Sequence, residues 1–182
     1  MNFLQRLSGV ATATRRLTEA VAGLPVRVID TRKTTPGLRA LERYAVRLGG
    51  GFNHRFNLSD GILIKDNHIA AGRSRGFSVV DIVRAAREGA PHTLRIEIEV
   101  TTYEEAEEAL AAGADVILLD NMSVEEMARC VRLTMGKALT EASGGVTLVN
   151  IRAVAETGVD LISSGSITHS AKALDISLEV ET

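Results

Sequence analysis

The chain has no tryptophan, and aromatic residues make up only 3% of its 182 positions. A core without large rings must be filled by Ala, Val, Leu and Ile, as in α/β proteins. One cysteine, Cys130, excludes a disulfide framework and a thiolate zinc cage. It falls within a helical stretch and reads as structural. No run of about 18 apolar residues occurs, so no spanning helix is expected. The first residues also lack a secretory layout. Nor is there an excess of one charge: the net value is −2 and the pI about 6.1, which argues against a general nucleic-acid binder. The expectation is a cytoplasmic, single-domain protein over residues 1–182, free of nucleic acid and membrane.

Cations are nevertheless concentrated locally. Between Asp30 and His68 lie Arg32, Lys33, Arg39, Arg43, Arg47, His54, Arg55, Lys65 and His68. Arginine offers a planar fork to carboxylate or phosphate and lysine a point charge, so the cluster points to a pocket for a small polyanion. Arg39, Arg43 and Arg47 share helical spacing and, taken alone, read as a solvated face, with Arg39 the exception. His68 and His92 read as surface or capping residues.

Around this stretch the chain alternates. Residues 2–22 place Phe3, Leu7, Val10, Thr14, Leu17 and Val21 on one helical face. Strands are expected at 26–30, 61–64, 94–100, 116–119, 138–141 and 160–162. Pro36 suits a helix start, 71–77 reads as a mobile Gly/Arg/Ser loop, and 147–157 as a helix. Ser78-x-x-Asp81, Thr102-x-x-Glu105 and Ser123-x-x-Glu126 are capping signatures. Such alternation implies parallel βαβ units. Polar groups recur at strand ends: Arg32 and Lys33, Lys65, Glu99, Asp120, Ser143-Gly144-Gly145 and Ser164-Gly165-Ser166. They converge on one point only if the sheet curls. The expected fold is therefore an α/β, TIM-like (β/α) barrel, incomplete, with about six or seven parallel strands. No G-x-G-x-x-G follows the first strand, which weakens a dinucleotide reading.

The late Gly/Ser loops can present backbone N–H groups to phosphate. Glu99 and Asp120 can hold Mg²⁺ or sugar hydroxyls. With the cations, this describes a site for a Mg²⁺-bound sugar phosphate and an anionic second substrate. Each part has a plainer reading: Ser-Gly-Gly as a turn, Glu97 and Glu99 as the wet face of a strand. Only their convergence lifts them above it.

DTRKTTPGLRALERYAVRLGGGFNHR, DGILIKDNHI, IEIEV, VILLDNM, TEASGG and SGSITHS resemble, in order and spacing, the quinolinate phosphoribosyltransferase family (nicotinate-nucleotide pyrophosphorylase, decarboxylating). The resemblance spans essentially the whole chain. It implies an incomplete barrel enzyme that makes nicotinate mononucleotide, pyrophosphate and CO₂ from quinolinate and phosphoribosyl pyrophosphate with Mg²⁺. By motif, it puts Arg32, Lys33, His54, Arg55 and Lys65 at the quinolinate carboxylates and makes Thr31 substrate-binding. Glu99 and Asp120 fall at the ribose and metal, and Ser143, Gly144, Gly145, Ser163, Ser164 and Gly165 at the 5′-phosphate. Lys33, Lys65, Glu99 and Asp120 are the implied catalytic set. Family members carry a preceding sandwich domain that covers the partner's barrel mouth and ends in an arginine reaching the neighbour's substrate. This chain begins just after it, which predicts a truncated or designed start at Met1. Two alternatives stay open: a barrel that binds phosphate or phosphoribosyl pyrophosphate with little turnover, and a related transferase using another anionic base. The exposed flank predicts a homo-oligomer, with helix 2–22 buried on another copy or on its own open barrel edge.

Overall fold

The computed structural model describes residues 1–180. Helix α1 (Asn2–Ala20) buries Gly9, Val10, Thr14 and Leu17, the face its spacing predicts. It packs on α2 (Arg39–Leu48) and on β1 (Arg27–Ile29), so its apolar face finds cover within its own chain. The buried Glu42 carboxylate of α2 accepts from Arg6 of α1, at 2.9 Å, and from the Thr35 hydroxyl, at 2.7 Å. That contact ties the two helices to the loop after β1.

Beyond β2 (Ile62–Ile64) come α3 (Asp66–Arg73), α4 (Val79–Gly89), β3 (Ile96–Val100), α5 (Tyr103–Ala111), β4 (Val116–Asp120) and α6 (Val124–Thr134). The chain continues through β5 (Leu139–Ser143), α7 (Ile151–Glu156), β6 (Leu161–Ser163) and α8 (Ser166–His169). Ser78, Thr102 and Ser123 accept from the N–H groups of Asp81, Glu105 and Glu126, as their spacing predicts. Each such cap contributes about 1 kcal/mol.

Three elements differ from expectation. Helix α2 begins at Arg39, after a turn that holds Pro36. Residues 71–77 are not wholly loop, because α3 runs to Arg73. Its start is fixed by His68 Nδ1, which accepts from the Lys65 N–H at 2.9 Å. Helix α7 begins only at Ile151, because Asn150 Oδ1 accepts the Thr147 N–H and holds the preceding residues as a turn.

The sheet is parallel throughout, with six strands in the order β1-β6-β5-β4-β3-β2. The edges β1 and β2 do not pair, and an isolated parallel bridge, Ile29 to Phe52, extends β1 on its free side. The barrel is therefore incomplete, with six strands. Ile96, Ile98 and Val100 of β3 join Ile117 and Leu119 of β4 in the apolar layer under the helices. The alternate residues line the interior, where Glu97, Glu99, Leu118, Asp120 and Glu141 border two cavities. Among the described residues no helix is long and apolar enough to cross a membrane.

Candidate active site

The larger cavity, about 550 Å³, opens at the C-terminal ends of the strands. Its lining combines Thr31, Arg32 and Lys33 after β1, His54 and Arg55, and Lys65 after β2 with Glu99 of β3 and Asp120 of β4. Ser143, Gly144, Gly145 and Ser163 complete the far side.

Asp30 organises the first part of this wall. It is fully buried and accepts from the His54 N–H at 2.7 Å, the Asn53 amide at 2.6 Å and Arg43 at 3.2 Å. Burial pushes its carboxyl up, against the pull of these donors and of Arg43. Arg43 also donates to the His54 carbonyl at 2.6 Å. Arg47 donates to the Gly51 carbonyl, and Arg39 reaches the Thr34 hydroxyl and the Arg32 carbonyl. The helical arginine stripe is therefore more than a solvated face, although Arg47 itself stays exposed. It clamps the two loops that carry Arg32, His54 and Arg55.

Arg55 donates to the Gly61 carbonyl at 2.9 Å. Burial lowers the proton affinity of its guanidinium, and the neighbouring charge of Arg32 lowers it further. Arg32 Nε is itself buried without a hydrogen-bond partner. Lys65 Nζ pairs with the Glu99 carboxylate. Two guanidiniums that repel one another, one with an unpaired buried N–H, make a place where a carboxylate would be stabilised.

The opposite wall is built by backbone. Gly144 and Gly145 have φ of 87° and 60°, left-handed values in succession. In a tight turn, successive backbone N–H groups can form an anion-binding nest. A Cβ on Gly144 would lie 2.2 Å from Asn121 Oδ1, so the close approach also demands glycine. Asn121 itself has φ 54° and donates to the Asp120 carboxylate at 2.9 Å.

Most residues expected at the site do line the cavity, but Ser164 and Gly165 do not. The Ser164 N–H is taken by the Ile29 carbonyl, and its hydroxyl meets that of Ser166 at 2.8 Å. Gly165 lies behind the lining, where a Cβ would come within 3.2 Å of Lys33 Cδ.

A family model described as "Quinolinate phosphoribosyl transferase, C-terminal domain" matches residues 10–179. The chain belongs to this family. It is 51% identical over 180 residues to a probable nicotinate-nucleotide pyrophosphorylase [carboxylating] of Bacillus subtilis, an alignment covering 99% of this chain and 61% of that protein. NadC from Streptococcus pyogenes superposes with a TM-score of 0.93 at 49% identity, covering 99% of this chain and 62% of that one. The nicotinate-nucleotide pyrophosphorylase structure from Francisella tularensis gives 0.94 at 43%, covering 100% and 63%. The chain thus spans about three fifths of the length of these relatives.

This quinolinate phosphoribosyl transferase domain also has lining residues that sequence reasoning did not single out: Leu63, Leu118, Asn121 and Glu141. For Glu97 the wet-face reading does not hold, since it is only 7% exposed and faces the barrel interior. Strand alternation separates two faces, but it does not say that the second face encloses a polar cavity. His54 Nε2 lies 3.2 Å from Glu97 and 3.7 Å from Glu141. Burial works against a charge on His54, but the two carboxylates outweigh it and hold the imidazole above its ordinary range.

Proposed function

We propose that this domain transfers the phosphoribosyl group of phosphoribosyl pyrophosphate to quinolinate and decarboxylates the product. Nicotinate mononucleotide, pyrophosphate and CO₂ are then formed, as in NAD biosynthesis. The observation that carries the reading is the facing of two unlike anion sites, Arg32, Arg55 and Lys65 on one wall and Gly144-Gly145 on the other. Planar forks suit the two carboxylates of quinolinate, and the glycine nest suits a 5′-phosphate. Lys33, Lys65, Glu99 and Asp120 are the groups placed to act on the reacting atoms between them.

The chemistry follows from charge. The pyridine nitrogen attacks the anomeric carbon as pyrophosphate leaves, so the sugar becomes positive and the leaving group negative. Asp120 and Glu99 stabilise the first and Lys33 the second. Once alkylated, the pyridinium withdraws electrons and the adjacent carboxylate departs as CO₂. Asp120 is a hard oxygen donor at the cavity whose recorded hydrogen bond comes from Asn121, and Glu99 is engaged by Lys65. Asp120 therefore fits a Mg²⁺ that arrives on the pyrophosphate of the donor, a mode in which one or two carboxylates suffice. When bound, the ion neutralises the leaving group.

The test is quinolinate-dependent pyrophosphate release by this chain, with and without a separately supplied N-terminal domain of a relative. Release is expected; phosphoribosyl pyrophosphate binding without any turnover in either arm would favour a binding barrel instead. Lys65→Ala and Arg55→Ala should weaken quinolinate binding by about 1.5–3 kcal/mol each and leave phosphoribosyl pyrophosphate almost unaffected. Equal losses by calorimetry for both ligands would undo this division of labour. A homo-oligomer belongs to the same reading, and the buried free thiol of Cys130 is in keeping with a cytoplasmic setting.

A further inference from the structure

Glu141 projects from β5 into the barrel axis, where it borders both the mouth cavity and a second cavity of about 400 Å³. The second cavity lies at the opposite end of the strands, against Asp60, Arg95, Val116 and Leu139. Glu141 is 1% exposed, and its Oε1, like Glu97 Oε1, is buried without a hydrogen-bond partner. His54, Glu97 and Glu141 offer ligand atoms within 4.8 Å of one another. Such a cluster holds either a metal or a proton, and the imidazole decides between them. His54 Nδ1 accepts the Arg55 N–H at 2.7 Å, so the ring proton sits on Nε2 and points at the carboxylates. A metal there would need the Nε2 lone pair and a proton on Nδ1.

We propose that Glu141 is the acid that supplies the proton to the pyridine ring carbon from which CO₂ has left. The inference rests on the function proposed above. In the step, the ring carbon–carboxylate bond breaks and its electron pair stays on the ring carbon. The Glu141 O–H bond then breaks, and its proton forms the new C–H bond. The carboxylate left behind is reprotonated by water from the second cavity, on the side away from the substrates. The charged groups facing Glu141 are Glu97 from β3 and His54 from the loop, with Arg55 adjoining them; β4 and β6 present Leu118 and Ser163. Burial, reinforced by the charge of Glu97, pushes the Glu141 carboxyl up to about 8, so it carries its proton at neutral pH. Paired groups with separated proton affinities are how one site keeps an acid protonated beside an ionised carboxylate.

The test uses the full chain, with Glu141→Gln as an isosteric variant and Glu97→Gln as a second. Infrared titration should show a protonated-carboxyl band at neutral pH that is lost near the value of about 8 and is absent from Glu141→Gln. With quinolinate and phosphoribosyl pyrophosphate, Glu141→Gln should form nicotinate mononucleotide about 100-fold more slowly at unchanged phosphoribosyl pyrophosphate affinity, and lose the high-pH decline in rate. Glu97→Gln should instead move that decline to lower pH, which a merely structural role would not do. An ionised Glu141 at neutral pH, or a Glu141→Gln variant with the wild-type rate and pH profile, overturns the proposal. A wild-type chain that shows the band but releases no pyrophosphate overturns the functional reading and the donor role with it. The intact band tells that failure from the others.

Discussion

A methyl group at Gly144 would have to share space with the Asn121 amide, which a Cβ would approach to 2.2 Å. The backbone there, at φ 87°, is one that L side chains adopt only under strain. Gly144→Ala should therefore distort the loop after β5 while leaving the buried strand residue Ala142 in place. We expect phosphate and phosphoribosyl pyrophosphate affinity to fall at least about tenfold, equivalent to 1.4 kcal/mol, with quinolinate affinity little changed. Calorimetric titration of each ligand checks this, and an unaltered phosphate affinity would remove the nest from the site. Residues of this kind were legible beforehand, because a Ser-Gly-Gly at a strand end advertises a turn that only glycine can make. Glu97 and Glu141 were not. Nothing local distinguishes a glutamate facing water from one facing an enclosed cavity until strands from distant parts of the chain surround it.

Among the elements, the capped helices were the most readable, because a cap is a contact between residues three apart. The arginine stripe of α2 is legible only in part, for the opposite reason. Its partners, the carbonyls of Gly51 and His54 and the Asp30 carboxylate, lie outside the helix. Helices α1 and α2 pack together, yet leave Phe3, Leu4, Tyr44 and Leu48 exposed, at 62%, 54%, 62% and 60%. Exposed apolar area beyond a few hundred Å² is unusual for a lone soluble chain. We expect light scattering to give a mass above the 19.5 kDa of one chain, lowered toward it by combining Phe3→Asp with Leu4→Asp. Leu7→Asp, at a half-buried position packed against the core, should destabilise the fold instead. A monodisperse wild-type monomer would refute the association.

For the molecule as a whole, buried acids tie stability to pH. Glu141 in the native state is raised from near 4.5 to about 8, and Asp30 is raised by its burial as well. Across the Glu141 interval the native state keeps a proton that the unfolded chain has released, so stability falls as pH rises through it. Asp115 is lowered, chiefly by its bonds to Arg87 and the Ile96 N–H, which outweigh burial. It acts in the other direction, only below its ordinary range near 3.8. Urea midpoints should therefore decline between about pH 5 and about pH 8, and Glu141→Gln should flatten that decline. A midpoint rising over the same interval would contradict the buried-acid assignment.

The strand order has a consequence for how the polypeptide is made. β1 carries the loop with Arg32 and Lys33, yet its ladder partner is β6, Arg27 against Leu161 and Ile29 against Ser163. On a ribosome adding roughly 5–20 residues per second, β1 emerges before β2 to β5 and waits for all of them before that partner appears. Helix α1 and the bridge to Phe52 can cover other parts of it meanwhile, but not the edge that pairs with β6. The first wall of the active site is thus completed only after β2 to β5 have been made, and a nascent chain stalled before β6 would expose an unpaired strand edge to chaperones and to its neighbours on the same message.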